Sequence, residues 1–172
     1  IPFNRLTLDE VEINQKKKQA ESYIDAAISL LKPSLKDSES LALLSIQTGY
    51  SIRFKSYFAM MGLGQDSHNY AETALSLDSN NLRAYYALAI NNFYTPKVFG
   101  GGTQVEVNLK QALAMSENSI EENQPTWGKD SVYVLLVNHY IKEEKDSLAK
   151  KYLAEGLALF PENKQLKNLT KL

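Results

Sequence analysis

Two histidines, His68 and His139, are the only imidazoles in the chain, and there is no cysteine. The missing cysteine removes thiolate nucleophiles, thiolate metal sites and disulfides together, while leaving the redox compartment open. The histidines lie far apart in sequence, with no carboxylate set to share a metal with either. Both are read as structural or surface residues, and no metal is expected. No serine sits in a Gly-x-Ser-x-Gly elbow. The acidic pairs Asp9-Glu10, Glu121-Glu122 and Glu143-Glu144 fall at helix starts or in polar connections, where solvated charge accounts for them. A glycosidase would need two carboxylates converging in a cleft. No catalytic residue and no cofactor is assigned, and the chain is not read as an enzyme.

The remaining candidate for chemistry is YTPKVFGGGT, residues 94–103. Free amides at Gly100, Gly101 and Gly102 ahead of a helix, with Lys97 nearby, would suit a carboxylate or phosphate. The stretch is neither a Gly-x-x-x-x-Gly-Lys-Ser/Thr loop nor a Gly-x-Gly-x-x-Gly after a strand, however. An elaborated turn is the favoured reading. Pro96 stops the preceding helix near Tyr94, and Thr103-x-x-Glu106 reads as a capping box opening the next. The glycines supply positive φ, and Val98 and Phe99 are expected to drop onto apolar surface. GLGQDS (62–67) reads as another helix break, capped by Asp66 or Ser67.

These segments must be held by a scaffold whose class the composition already narrows. The chain has 172 residues, 44% hydrophobic and 23% charged, which suits one globular domain. Nineteen basic against twenty acidic residues give a net charge of −1, so no positive field is available for a nucleic-acid backbone. KKK at 16–18 sits among Glu12, Gln15, Gln19 and Glu21 and reads as a solvated helix face. No apolar run is long enough to span a membrane. The sequence begins at Ile1, so an N-terminal segment is expected to have been trimmed, a signal peptide being one candidate.

Ala27, Ala74, Ala112 and Gly156 recur near the ends of amphipathic stretches, 47, 38 and 44 residues apart, a spacing typical of helical repeats with insertions. Counting Asp130 as position one, Tyr133, Leu136, Val137, Tyr140, Ala149, Leu153, Gly156 and Pro161 fall at positions 4, 7, 8, 11, 20, 24, 27 and 32. That pattern resembles the tetratricopeptide repeat (TPR), a helix pair of about 34 residues. A second unit starts at Leu82 if four residues are inserted before Val105, and a looser one starts near residue 38. The resemblance implies an all-α fold, a right-handed superhelical stack of antiparallel pairs forming one domain over 1–172. The expected elements are a helix over about 8–32, pairs over 38–78, 82–118 and 130–160, and a terminal helix over 162–171. Thr7 and Glu10 look like a capping box for the first helix. In the first pair, the leading helix is expected to run through YSIRFKSYFAMM (50–61) until Gly62 and Gly64 break it. Tyr133 and Tyr140 are expected to pack with their hydroxyls at the surface, and Trp127 to plug the connection before the last pair.

In TPR proteins the first helix of each pair lines the concave face. The resemblance therefore carries groove roles to Arg83, Tyr86, Ile90, Phe93 and Tyr94 in one unit and to Ser131, Val134, Asn138, Ile141 and Lys142 in the last. The first unit contributes Glu39, Ala42, Ile46, Gly49 and Tyr50. A chaperone-type carboxylate clamp would need Lys or Arg where Ala42, Tyr86 and Val134 stand, so that clamp is incomplete. The lining is aromatic and aliphatic, suited to an apolar peptide, a helix of a protein partner or the chain's own terminal segment. A non-enzymatic interaction or scaffold module is the expected function. The alternative is a small-ligand or transport-accessory protein with a pocket between helices. YTPKVFGGG followed by Trp127-Gly128 also looks like an exported subgroup of bacterial TPR proteins, which implies a periplasmic or otherwise exported location and leaves a cytoplasmic one open.

Overall fold

The computed structural model describes residues 8–115 and 126–170, and every regular element among them is helical. Eight α-helices follow in order: α1 (Leu8–Leu31), α2 (Ser38–Ser51), α3 (Tyr57–Leu77), α4 (Leu82–Tyr94), α5 (Val105–Ala114), α6 (Lys129–Lys142), α7 (Asp146–Leu159) and α8 (Lys164–Leu169). Successive helices pack as antiparallel pairs, α2 with α3, α4 with α5 and α6 with α7, and the pairs stack through α3 on α4 and α5 on α6. Small side chains let the second helix of each pair approach closely. Ala71 and Ala74 in α3, Ala112 in α5 and Ala149 in α7 are all buried.

Side-chain caps fix where the leading helices begin. The Asp37 carboxylate accepts from Ser40 N at 2.8 Å to start α2, and Asn81 Oδ1 accepts from Ala84 N at 3.0 Å to start α4. Each satisfies an amide that the first helical turn leaves without a partner. The same Asn81 donates through Nδ2 to Ser38 Oγ at 2.7 Å, and that hydroxyl donates to Ala74 O at 2.8 Å. One residue thus ties the start of α4 to the start of α2 and the end of α3. Further along, Ser45 Oγ donates to Ser67 O at 2.6 Å, and Ser67 Oγ lies 2.8 Å from Asn91 Oδ1, so α2, α3 and α4 also meet near the other end.

The boundary inside the first pair differs from the expectation. α2 ends at Ser51 and a 3-10 turn spans Ile52–Phe54, while α3 runs unbroken through Gly62 and Gly64. A helical glycine costs only about 1 kcal/mol relative to alanine, less than the packing that holds the rest of α3. Ser67 is accordingly a buried contact residue and not a cap. The proposed Thr7 cap and the connection over 116–125, with Glu121-Glu122, lie outside the described residues.

α1 sits at one end of the described stack in the place of the second helix of a pair. Its positions equivalent to buried Ser67, Ala71 and Ala74 are Ala20, Ile24 and Ala27; Ala20 is exposed and the other two half-buried. Lys55 fastens this helix by pairing with Glu21 at 2.9 Å and Asp25 at 3.3 Å.

Candidate functional site

The three leading helices run in the same direction. Arg83 at the start of α4 pairs with Glu39 at the start of α2 and donates from Nη1 to Trp127 O, just ahead of α6, at 2.9 Å. At the far end Lys142 Nζ of α6 donates to Phe93 O of α4 at 3.1 Å. Their shared face forms a half-open cavity of about 450 Å³, and seven of the fifteen groove candidates line it: Tyr50, Tyr86, Ile90, Phe93, Tyr94, Val134 and Asn138.

Arg83 and Ile141 do not line this cavity. The Arg83 guanidinium is a buried clasp between helices, stacked 5.7 Å from the Trp127 ring, and Ile141 packs against the core. Trp127 is 42% exposed, so it shelters Arg83 instead of plugging the core.

The lining carries no formal charge. Tyr86 is half-buried, and burial raises its phenol pKa above the ordinary value; the Tyr50 phenol adds to the rise and a hydrogen bond from Ser131 opposes it. Phe93 meets Tyr94 edge-on at 5.1 Å and lies under Lys142 Nζ at 4.6 Å. Asn138 Nδ2 donates to Val134 O at 2.8 Å, which leaves Oδ1 for a ligand. Aromatic faces, phenols and carboxamides can bind neutral apolar and amide groups, but they offer no acid–base pair or nucleophile.

Gln165, Asn168 and Leu169 of α8 complete the wall, together with Leu135 of α6. None was named from the sequence, although the chain's own terminal segment was one of the occupants expected on this face, and a residue-level signal existed. Asn163 caps α8 by accepting from Gln165 N and Leu166 N at 2.9 and 3.0 Å, and its Nδ2 donates to Asp130 Oδ2 at the start of α6 at 2.9 Å. Asn81 makes the same clasp between α4 and α2. In that register Gln165 matches Arg83 and Asn168 matches Tyr86, so α8 is one more leading helix.

In the solved structures the chain is similar to a thermophilic TPR protein from Thermus thermophilus, with a TM-score of 0.65 over 89% of this chain and 72% of that one, at 15% identity. The chain has the TPR fold. No protein-family model matches the sequence, and no curated protein does. The TPR repeat therefore rests on architecture, with the all-α solenoid and paired helices in place.

The glycine turn is an elaboration between the helices of the second TPR pair. Its amides are all engaged: Gly100 N donates to Lys97 O at 3.0 Å, Gly101 N to Pro96 O at 3.2 Å and Gly102 N to Asn92 O at 3.0 Å. An anion would find no free donor at these three positions. Gly100 and Gly102 adopt left-handed φ of 82° and 89°, and a Cβ on Gly101 would lie 1.7 Å from Thr95 O. Lys97 is held by Glu143 at 3.0 Å.

The Thr103–Glu106 capping box is not formed. The Thr103 hydroxyl donates to Gly100 O at 2.8 Å, and Glu106 pairs instead with Lys110 at 2.7 Å and Lys145 at 3.6 Å. The acceptor near the start of α5 comes from the preceding helix: Asn92 Oδ1 accepts from Gln104 N at 2.8 Å, while Asn92 Nδ2 donates to Gly100 O at 3.3 Å. Asn92→Ala is therefore expected to cost about 1 kcal/mol in urea denaturation, as for loss of a cap, with Thr103→Ala the milder of the two. Equal midpoints for Asn92→Ala and wild type would remove Asn92 from this role.

Among the described residues no group of three or more His, Cys, Asp and Glu could hold an ion. Each histidine nevertheless has a glutamate one helical turn on, a spacing already present in the sequence. His68 pairs with Glu72 at 3.2 Å on the surface. His139 is buried, and burial lowers its pKa; Glu143 and Glu106 work against that, while Lys145 and Lys142 reinforce it. The unfolded chain thus binds more protons below the ordinary histidine value of 6.5. His139 stability is complete above that value and is lost as pH falls toward the lowered folded pKa. Glu106 and Glu143, whose pKa values are also lowered, lose theirs below the ordinary 4.5. His139→Gln should flatten the stability profile as pH falls below 6.5 and leave the more acidic carboxylate limb, below 4.5, in place. An unchanged slope in that window would exclude His139 as its source.

Proposed function

We propose that this chain is a non-enzymatic interaction module whose concave TPR face receives a peptide or helix of a protein partner. The observation that carries the reading is the convergence of Tyr50, Tyr86, Phe93, Tyr94, Val134 and Asn138 on one uncharged cavity. Aromatic anchors with a carboxamide beside them suit an apolar segment whose backbone amides also need partners. The cavity volume also falls in the range of small-ligand pockets. A neutral organic ligand held between the helices is therefore the second reading, and the exported location follows only from the subgroup resemblance.

A photo-crosslinking side chain placed at Tyr94 or Val134, with Lys150 on α7 as control, tests the assignment in the native host extract. Crosslinks to one defined protein from 94 and 134, absent from 150 and lost on Phe93→Ala, are expected. Crosslinking that does not distinguish these positions would reject the groove, and a small molecule retained in native mass spectrometry would favour the second reading.

A further inference from the structure

A second docking surface follows from the edge of the stack where each leading helix turns into its partner. The α2–α3, α4–α5 and α6–α7 turns lie on the same edge because α2, α4 and α6 run in parallel, and Lys97 contacts Glu143 directly across two of them. Two of the turns present large apolar side chains to water. Phe58 is 92% and Met61 74% exposed near the start of α3, and Val98 is 86% and Phe99 72% exposed between α4 and α5. The last two overturn the expectation that they would drop onto apolar surface.

Their exposure does not come from a loose loop. The 3-10 turn Lys97–Phe99 is held by the three engaged glycine amides, the Asn92 clasp, the Lys97–Glu143 ion pair and a glycine that cannot carry a Cβ. A rigid turn that holds apolar side chains away from the core is pre-organised for contact, which lowers the ordering cost of binding. Charge further defines the occupant. Most nearby cations are engaged: Lys97 with Glu143, Lys142 with Phe93, Lys110 and Lys145 with Glu106, and Lys55 with Glu21 and Asp25, while Arg53 at the first turn lies over the Tyr50 ring with no ion pair among the described residues. That leaves little pull toward an anionic lipid surface. Glu144 and Asp146, at the third turn, have no ion-pair partner among the described residues.

We propose that this edge docks an amphipathic protein segment, apolar where it crosses the first two turns and basic where it reaches Glu144 and Asp146. The surface is separate from the concave groove and stands whether or not the groove binds. The side chains involved are exposed, so polar replacements leave the fold intact, which circular dichroism verifies.

Selection of a displayed library of random 16-residue peptides on the intact chain is expected to enrich apolar residues at helical spacing followed by Lys or Arg. A synthetic peptide of that kind should bind about tenfold more weakly to Val98→Ser/Phe99→Ser and to Phe58→Ser/Met61→Ser, the scale of losing a central anchor. Glu144→Lys/Asp146→Lys should also weaken it, with recovery when the peptide's basic residues become Glu. Val134→Glu in the groove should leave its affinity unchanged. The proposal is overturned if the selected peptides are insensitive to Val98→Ser/Phe99→Ser or respond only to Val134→Glu. It is equally overturned if those two serines instead abolish sedimentation with phosphatidylglycerol–phosphatidylcholine vesicles or self-association in sedimentation equilibrium.

Discussion

Glu39→Ala is expected to lower the folding free energy by about 3 kcal/mol, the scale of stranding one member of a buried ion pair. The Arg83 side chain is only 10% exposed and grips both carboxylate oxygens of Glu39, which is 31% exposed. Without the carboxylate, a guanidinium that cannot be deprotonated stays buried against Trp127, with one bond left to Trp127 O. Water reaches the site more easily from the Glu39 side, which places the loss at the lower end of the range for buried pairs. Replacing both members, Glu39→Leu with Arg83→Leu, should recover most of the stability, because apolar residues of similar size avoid desolvating two charges. Urea denaturation of the two single variants and the double variant measures this. A Glu39→Ala midpoint equal to wild type would mean that Arg83 reaches water and that the clasp contributes little.

The Arg83 clasp also shows what the sequence could and could not reveal. The repeat register put Arg83 on a leading helix beside Tyr86 and Phe93, but it could not show that Glu39 and Trp127, both 44 residues distant, would claim the guanidinium. Register alone located Tyr86, Ile90, Phe93, Tyr94, Val134 and Asn138, because a helix with a known period fixes which residues share a face. It missed Gln165, Asn168 and Leu169 because α8 has only six residues and too little apolar content to signal a repeat. The decisive similarity was Asn163 to Asn81, one polar residue doing the same clasping. The errors at Gly62, Gly64 and Thr103 share another cause. Local propensity and capping patterns are worth about 1 kcal/mol, and tertiary partners such as Asn92 override them.

Tyr140 gives the other large expected effect, with opposite signs for two substitutions. Its ring is fully buried, stacked on Tyr152 at 5.4 Å with Lys145 Nζ 5.9 Å from its centre, so Tyr140→Ala should cost about 3–5 kcal/mol, the range for removing a large core aromatic. The hydroxyl, expected at the surface from the sequence, is buried and makes no well-formed hydrogen bond among the described residues, with Glu106 and Tyr152 beside it only in weaker contact. Burial raises its pKa, and the charge of Glu106 and the neighbouring Tyr152 raise it further, so the group remains a neutral phenol. Tyr140→Phe deletes that poorly satisfied polar atom while keeping the ring. It should therefore raise stability by about 1 kcal/mol, the low end of what an unsatisfied buried group costs. A Phe variant less stable than wild type would mean that the hydroxyl donates to Glu106 or Tyr152 in solution. The distinction bears on the groove, because α6 carries Tyr140 into the core while Val134 and Asn138 on the same helix line the cavity. If Tyr140→Phe stabilises the fold and leaves crosslinking at 134 unchanged, the α6 core contact and its cavity face act independently, and groove variants can be read as binding effects.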